Sequence, residues 1–136
     1  MDRSATAIWQ GSGKDGTGNL TTESSVLDNA PYSFNSRFES GSGTNPEELI
    51  AAAHAGCFNM KLSFVLGNSG IIPEQLETKC VVTMDDGVIT SSKLILKAKI
   101  DGVDEKLLQE SIKDAEENCP ISVLYNTKIL VEYTLL

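Results

Sequence analysis

One long apolar run, Asn45 to Leu66, sets what this chain can fold into. It reads as a helix with a written start. Asn45 can cap the free N–H groups of the first turn. Pro46 takes the first helical position, where its missing N–H costs nothing. Glu47 and Glu48 then place carboxylates at the positive end of the helix dipole. Gly67-Asn68 supplies a stop, because both residues tolerate the left-handed conformation. Between these signals Leu49, Ile50, Ala51 to Ala53, Ala55, Phe58, Met60, Leu62, Phe64, Val65 and Leu66 do not fit on one stripe. A helix of that kind is buried on all sides or spans a membrane. Its length is near that of a membrane span. Glu48, His54, Asn59 and Lys61 interrupt it, however, and the flanking sequence is polar and strand-like. The reading is a core helix of a soluble protein.

A chain of 136 residues is expected to form a single domain, 1–136. That size supports a core without disulfides or metal. A helix of roughly 21 residues is about 31 Å long, about the diameter of a small domain. A monomer has trouble covering it on every side, which points to an oligomer with a shared core. The net charge of −8 argues against nucleic acid as a partner, since phosphate binding rewards clustered Lys and Arg. It argues equally against anionic membrane surfaces. Met1 to Gln10 has no apolar signal-peptide core. Three cysteines in such a chain suggest a reducing compartment, and a cytoplasmic location is expected.

In order along the chain, Ser4 to Gln10 alternates weakly as a strand, and Gly11 to Gly16 is a turn. Gly18 to Leu27 is a second strand and Asp28 to Pro31 another turn. Tyr32 to Glu39 alternates well and reads as a third strand of an antiparallel meander. After the long helix, Gln75 to Met84 reads as a strand. Asp85-Asp86-Gly87 is a hairpin signal, and Ser92 to Ile100 answers it. Asp104 caps an amphipathic helix with core positions Leu107, Leu108, Ile112 and Ala115. Cys119-Pro120 ends that helix, because the residue before proline avoids the α region. Ile121 to Asn126 fits one or two further turns, and Thr127 to Leu136 a last strand. The fold class is α+β.

Two thiols could carry chemistry. Cys57 has His54 one turn before it and Lys61 one turn after it. Either cation could lower its pKa. Cys119 stands at a break between helical segments, where free N–H groups of a new helix could stabilise a thiolate. The plainer readings stand beside these. Free cysteine is among the most buried residue types. Cys80, on the apolar face of a strand, reads as packing. His54 alone reads as a satisfied core histidine. Three Cys and one His at these spacings match no zinc pattern.

The run Gly43-Thr44-Asn45-Pro46-Glu47-Glu48-Leu49 through Ala52-Ala53-His54-Ala55-Gly56-Cys57-Phe58 resembles the signature of the OsmC/Ohr family, the osmotically inducible and organic hydroperoxide resistance proteins. Thr22 to Leu27, Pro31 to Glu39 and Asn118-Cys119-Pro120-Ile121-Ser122 look like the OsmC branch in particular. The resemblance implies antiparallel sheets around a long buried central helix, in an intertwined homodimer. It implies a thiol peroxidase for organic hydroperoxides that needs no cofactor or metal. It makes Cys57 the peroxidatic cysteine and Cys119 the resolving one. It makes Arg37 the active-site arginine and Glu47 the carboxylate that holds it. A dithiol reductant, such as the lipoyl group of a lipoylated protein, is implied as well. Arg37 follows the OsmC branch, since the Ohr branch takes its arginine from earlier in the chain; Arg3 is the only other arginine.

Glu47 precedes Cys57 by ten residues on one helix, about 15 Å along the axis. If Arg37, Glu47 and Cys57 share a site, one part must come from elsewhere, and the twin subunit fits. The competing class is a non-catalytic binding or stress-response domain with structural or sensing thiols. A thiol-dependent acyl hydrolase finds less support, because His54 has no orienting partner legible in the sequence.

Overall fold

The computed structural model describes all 136 residues. They form two compact units, Met1–Leu49 and Ile50–Leu136. In the first unit β1 (Ala5–Gln10), β2 (Thr17–Thr22) and β3 (Ala30–Ser33) make an antiparallel meander. Gly18 of β2 lies opposite both Trp9 and Tyr32. Any Cβ at Gly18 would sit 2.4 Å from the Tyr32 ring. Glycine there lets the Trp9 and Tyr32 rings meet over the strand, 5.3 Å apart.

The third strand is shorter than its alternating sequence suggests. At Ser33 the chain turns into α1 (Phe34–Phe38). Ser33 accepts from the Ser36 backbone N–H, and the Ser36 hydroxyl accepts from the Ser33 N–H. This capping box satisfies both ends of the first turn and outweighs the period-two pattern of Tyr32, Phe34, Ser36 and Phe38. The second strand also stops early, at Thr22, where the chain enters a turn containing Ser25 at φ 58°.

The long helix α2 (Pro46–Asn68) begins at the end of the first unit and runs into the second. Asn45 caps it as its sequence requires, with Oδ1 accepting from the Glu48 N–H at 2.7 Å. It ends later than expected. Gly67 stays helical, and the left-handed residue is Gly70 at φ 75°. Ile71 N–H donates to Leu66 O and Gly70 N–H to Gly67 O, a Schellman close. Only His54, Phe58, Leu62 and Leu66, one narrow stripe, are buried. Met60 and Phe64 are 66% and 68% exposed. By length and composition the helix would suit a membrane span.

In the second unit β4 (Gln75–Asp85) and β5 (Val88–Lys99) form a hairpin through Asp86-Gly87, both with positive φ. α3 (Glu105–Asn118), capped by Asp104, and α4 (Pro120–Leu124) carry the chain to β6 (Lys128–Leu135). The last strand pairs parallel to β5, so this sheet is mixed rather than antiparallel throughout. Phe58, Leu62 and Leu66 of α2 pack with Leu94, Leu96 and Ala98 of β5 and with Leu108, Ile112 and Ala115 of α3. Leu107, expected in that core, is only half-buried.

Candidate active site

In the first unit the helix start and α1 are tied together. The Ser36 hydroxyl donates to Thr44 O at 2.9 Å, and the Asn45 side-chain amide donates to Ser36 O at 3.1 Å. These bonds place Arg37 beside Glu47. Arg37 Nε donates to Glu47 Oε1 at 3.0 Å and Nη2 to the same oxygen at 2.7 Å. Nη1 has no partner in the chain and keeps its N–H groups as free donors. The pairing raises the Arg37 pKa, chiefly through the Glu47 bond. Burial pushes Glu47 up, but the Arg37 bonds and its own backbone outweigh it, and its pKa falls below the usual carboxylate value. A cleft of about 270 Å³ opens beside the guanidinium, lined by Trp9, Tyr32, Phe34, Arg37, Phe38 and Pro46.

In the second unit Cys57 and Cys119, 62 residues apart, come together. The Cys119 thiol donates to the Cys57 sulfur at 2.7 Å. Cys119 is fully buried as the cap of α4, and Cys57 is half-buried on α2. Burial raises the Cys57 pKa, the Cys119 thiol raises it further, and the Ile121 backbone N–H at the start of α4 lowers it; the net shift is upward. A free N–H of this helical break thus acts on Cys57.

The two cations expected beside Cys57 are engaged elsewhere. Lys61 lies 3.6 Å from Asp114 of α3. His54 is completely buried, and burial lowers its pKa, so the ring stays neutral. Its Nδ1 bonds Ser92 Oγ of β5 at 2.7 Å and its Nε2 bonds Ser122 Oγ of α4 at 2.9 Å. Ser92 in turn contacts Cys80 Sγ at 3.2 Å. The orienting partners of His54 are thus two serines at sequence separations of 38 and 68 residues, and no local pattern points to them. Burial raises the Cys80 pKa despite the Ser92 bond, as suits a packed thiol.

Comparison with known proteins agrees with this architecture. The family described as OsmC-like protein matches residues 39–134. Peroxiredoxin OsmC of Escherichia coli is 42% identical over 133 residues, 95% of this chain and 93% of that protein. Organic hydroperoxide resistance protein OhrB of Bacillus subtilis is 32% identical, covering 77% of this chain and 79% of its own. The crystal structure of an OsmC-like protein from Mycoplasma pneumoniae superposes with a TM-score of 0.78 at 14% identity, over 100% of this chain and 98% of that one. The chain belongs to the OsmC-like protein family, with its α+β fold of two small sheets and a long helix.

Proposed function

We propose that this protein is a cysteine-based peroxidase that reduces organic hydroperoxides to alcohols. The observation that carries the reading is the 2.7 Å meeting of Cys57 and Cys119. The names of its relatives, a peroxiredoxin and an organic hydroperoxide resistance protein, support the same chemistry. The Cys57 thiolate attacks one peroxide oxygen, the O–O bond breaks, and the alkoxide leaves to take a proton as alcohol. Cys57 is then a sulfenic acid. The Cys119 thiol attacks its sulfur, the S–O bond breaks, water leaves and a disulfide remains. A dithiol, in the cell a lipoyl group on a carrier protein, returns both thiols.

No cationic side chain within the second unit favours the Cys57 thiolate. The Arg37–Glu47 pair of a second copy fills that role in this reading. A planar guanidinium braced by a carboxylate keeps one edge for the thiolate and for the charge that grows on the leaving oxygen. The whole chain then works as one domain of a homodimer, with the exposed face of α2 in the shared core instead of a lipid bilayer. A cytoplasmic setting suits its three free thiols.

The raised Cys57 pKa also favours a second reading, a binding domain whose thiols do not turn over. Steady-state consumption of cumene hydroperoxide with dithiothreitol separates the two. Catalysis requires that Cys57→Ser abolish turnover and that Cys119→Ser, given one equivalent of peroxide without reductant, stop at a Cys57 sulfenic acid. Equal, background-level consumption by the parent and both variants would favour the binding domain.

A further inference from the structure

The buried histidine has no part in the chemistry above, yet it is built into the segment that carries Cys119. α4 has only five residues, too few to hold its own shape. Val123 and Leu124 are 70% and 74% exposed, so they bury little that would hold it in place. Two polar ties fix the segment to α2. The Ser122 hydroxyl meets His54 Nε2. The Tyr125 hydroxyl donates to Ile50 O at 3.0 Å, and its ring stands edge-on to His54, 4.9 Å away. Neither tie contains sulfur, so both persist when Cys57 is oxidised.

The direction of the hydrogen bonds follows from counting donors. The Ser122 hydroxyl has no other acceptor within reach, so it donates to Nε2. Nδ1–H then donates to Ser92 Oγ, and the Ser92 hydroxyl donates to the Cys80 sulfur. Every strong donor is used, and only a weak S–H is left over. The reverse order leaves a buried hydroxyl proton with no acceptor, which is costly. His54 is thus locked between β5 and α4 as an acceptor toward Ser122.

We propose that His54 is a positioning residue: through Ser122 it holds the Cys119–Ile121 segment against α2 and so sets the rate of disulfide closure. The proposal rests on the two-cysteine reading for its step. Cys57 as S–OH meets Cys119 as S–H; the S–S bond forms, the S–O bond breaks and water leaves. Disulfide geometry tolerates little displacement, and loss of alignment by about 1 Å can slow a positioned step about a hundredfold.

Two near-isosteric replacements separate positioning from mere packing. In His54→Gln the amide reaches the Nε2 position and can accept from Ser122. In His54→Asn it reaches only the Nδ1 position and Ser92. Ser122→Ala removes the tie from the other side while leaving His54 in place. Two readouts are taken on the full chain. One is quenched single turnover with tert-butyl hydroperoxide, following sulfenic acid by dimedone trapping and disulfide by intact mass. The other is the equilibrium of the Cys57–Cys119 disulfide against glutathione, mapped on peptides, which involves no peroxide. Sulfenic acid formation is expected within threefold of the parent in every variant. Closure is expected to slow tenfold or more in His54→Asn and Ser122→Ala, with a parallel tenfold loss of disulfide in the glutathione equilibrium. His54→Gln is expected within threefold of the parent on both. Normal closure in both His54→Asn and Ser122→Ala would overturn the proposal, as would His54→Gln failing as badly as His54→Asn. So would both steps slowing together. If the parent ignores peroxide but the glutathione equilibria shift as stated, the peroxidase reading fails and the positioning role stands. If the parent turns over and no variant shifts, the reverse holds.

Discussion

The Cys57 thiol meets another thiol and one backbone N–H, and burial holds its pKa above the ordinary value. In the proposed peroxidase the charge that makes it nucleophilic comes from outside its immediate surroundings, from Arg37 of a second copy. Arg37→Lys is expected to lower kcat/KM for cumene hydroperoxide about a hundredfold, because an ammonium group cannot grip Glu47 and present planar donors together. Unchanged kcat/KM would remove Arg37 from the chemistry. His54 makes a separate, measurable contribution. Burial lowers its pKa, so below about pH 6.5 the unfolded chain binds a proton that the folded chain resists. Stability is expected to fall as the pH drops from 7.5 toward 5, by at most about 1.4 kcal/mol per pH unit from this group. Denaturant melts across that range check it, and His54→Gln should flatten the slope. Nitrogen-15 NMR checks the tautomer: the proton is expected on Nδ1, and a proton on Nε2 would contradict the donor count.

Among the elements, those whose ends are written in local chemistry were legible. The Asn45-Pro46 start of α2, the Asp86-Gly87 hairpin and the Asp104 cap all stand where their residues demand. α1 was not legible, because a one-turn helix between aromatic residues shares the spacing of a strand, and only the reciprocal Ser33–Ser36 bonds decide it. The end of α2 was misplaced for a related reason, since three glycine-tolerant positions follow one another and packing of Ile71 selects the last. This has a direct test. Gly67→Ala, helical with open space around its Cβ, is expected to stabilise the fold by about 0.5–1 kcal/mol. Gly70→Ala, at φ 75°, is expected to destabilise it by about 1 kcal/mol. Urea melts of the two variants should move in opposite directions. Phe58→Ala, at the centre of the buried stripe, is expected to cost about 3–5 kcal/mol in the same assay.

For the whole molecule, the most informative surface is the half of α2 that stays open. Its sequence is apolar all round, yet one chain covers only a stripe. That mismatch supports the homodimer proposed for the active form, and light scattering is expected to give about twice the 14.6 kDa chain mass. Phe64→Asp is expected to shift that mass toward the monomer and to lower turnover with it. A monomeric parent with full activity would remove the second copy from the mechanism. The pairing of Cys57 with Cys119, the parallel docking of β6 and the two serines on His54 all depend on long-range packing, which residue spacing does not encode. Family resemblance reached the first of these, and neither spacing nor resemblance reached the other two. The most direct measurement is single-turnover oxidation of the reduced protein with one equivalent of tert-butyl hydroperoxide, followed by a thiol count and an intact mass. The expected result is loss of two of the three thiols and about two mass units, the hydrogens given up in a Cys57–Cys119 disulfide. Three thiols still free at millimolar peroxide would contradict the catalytic account.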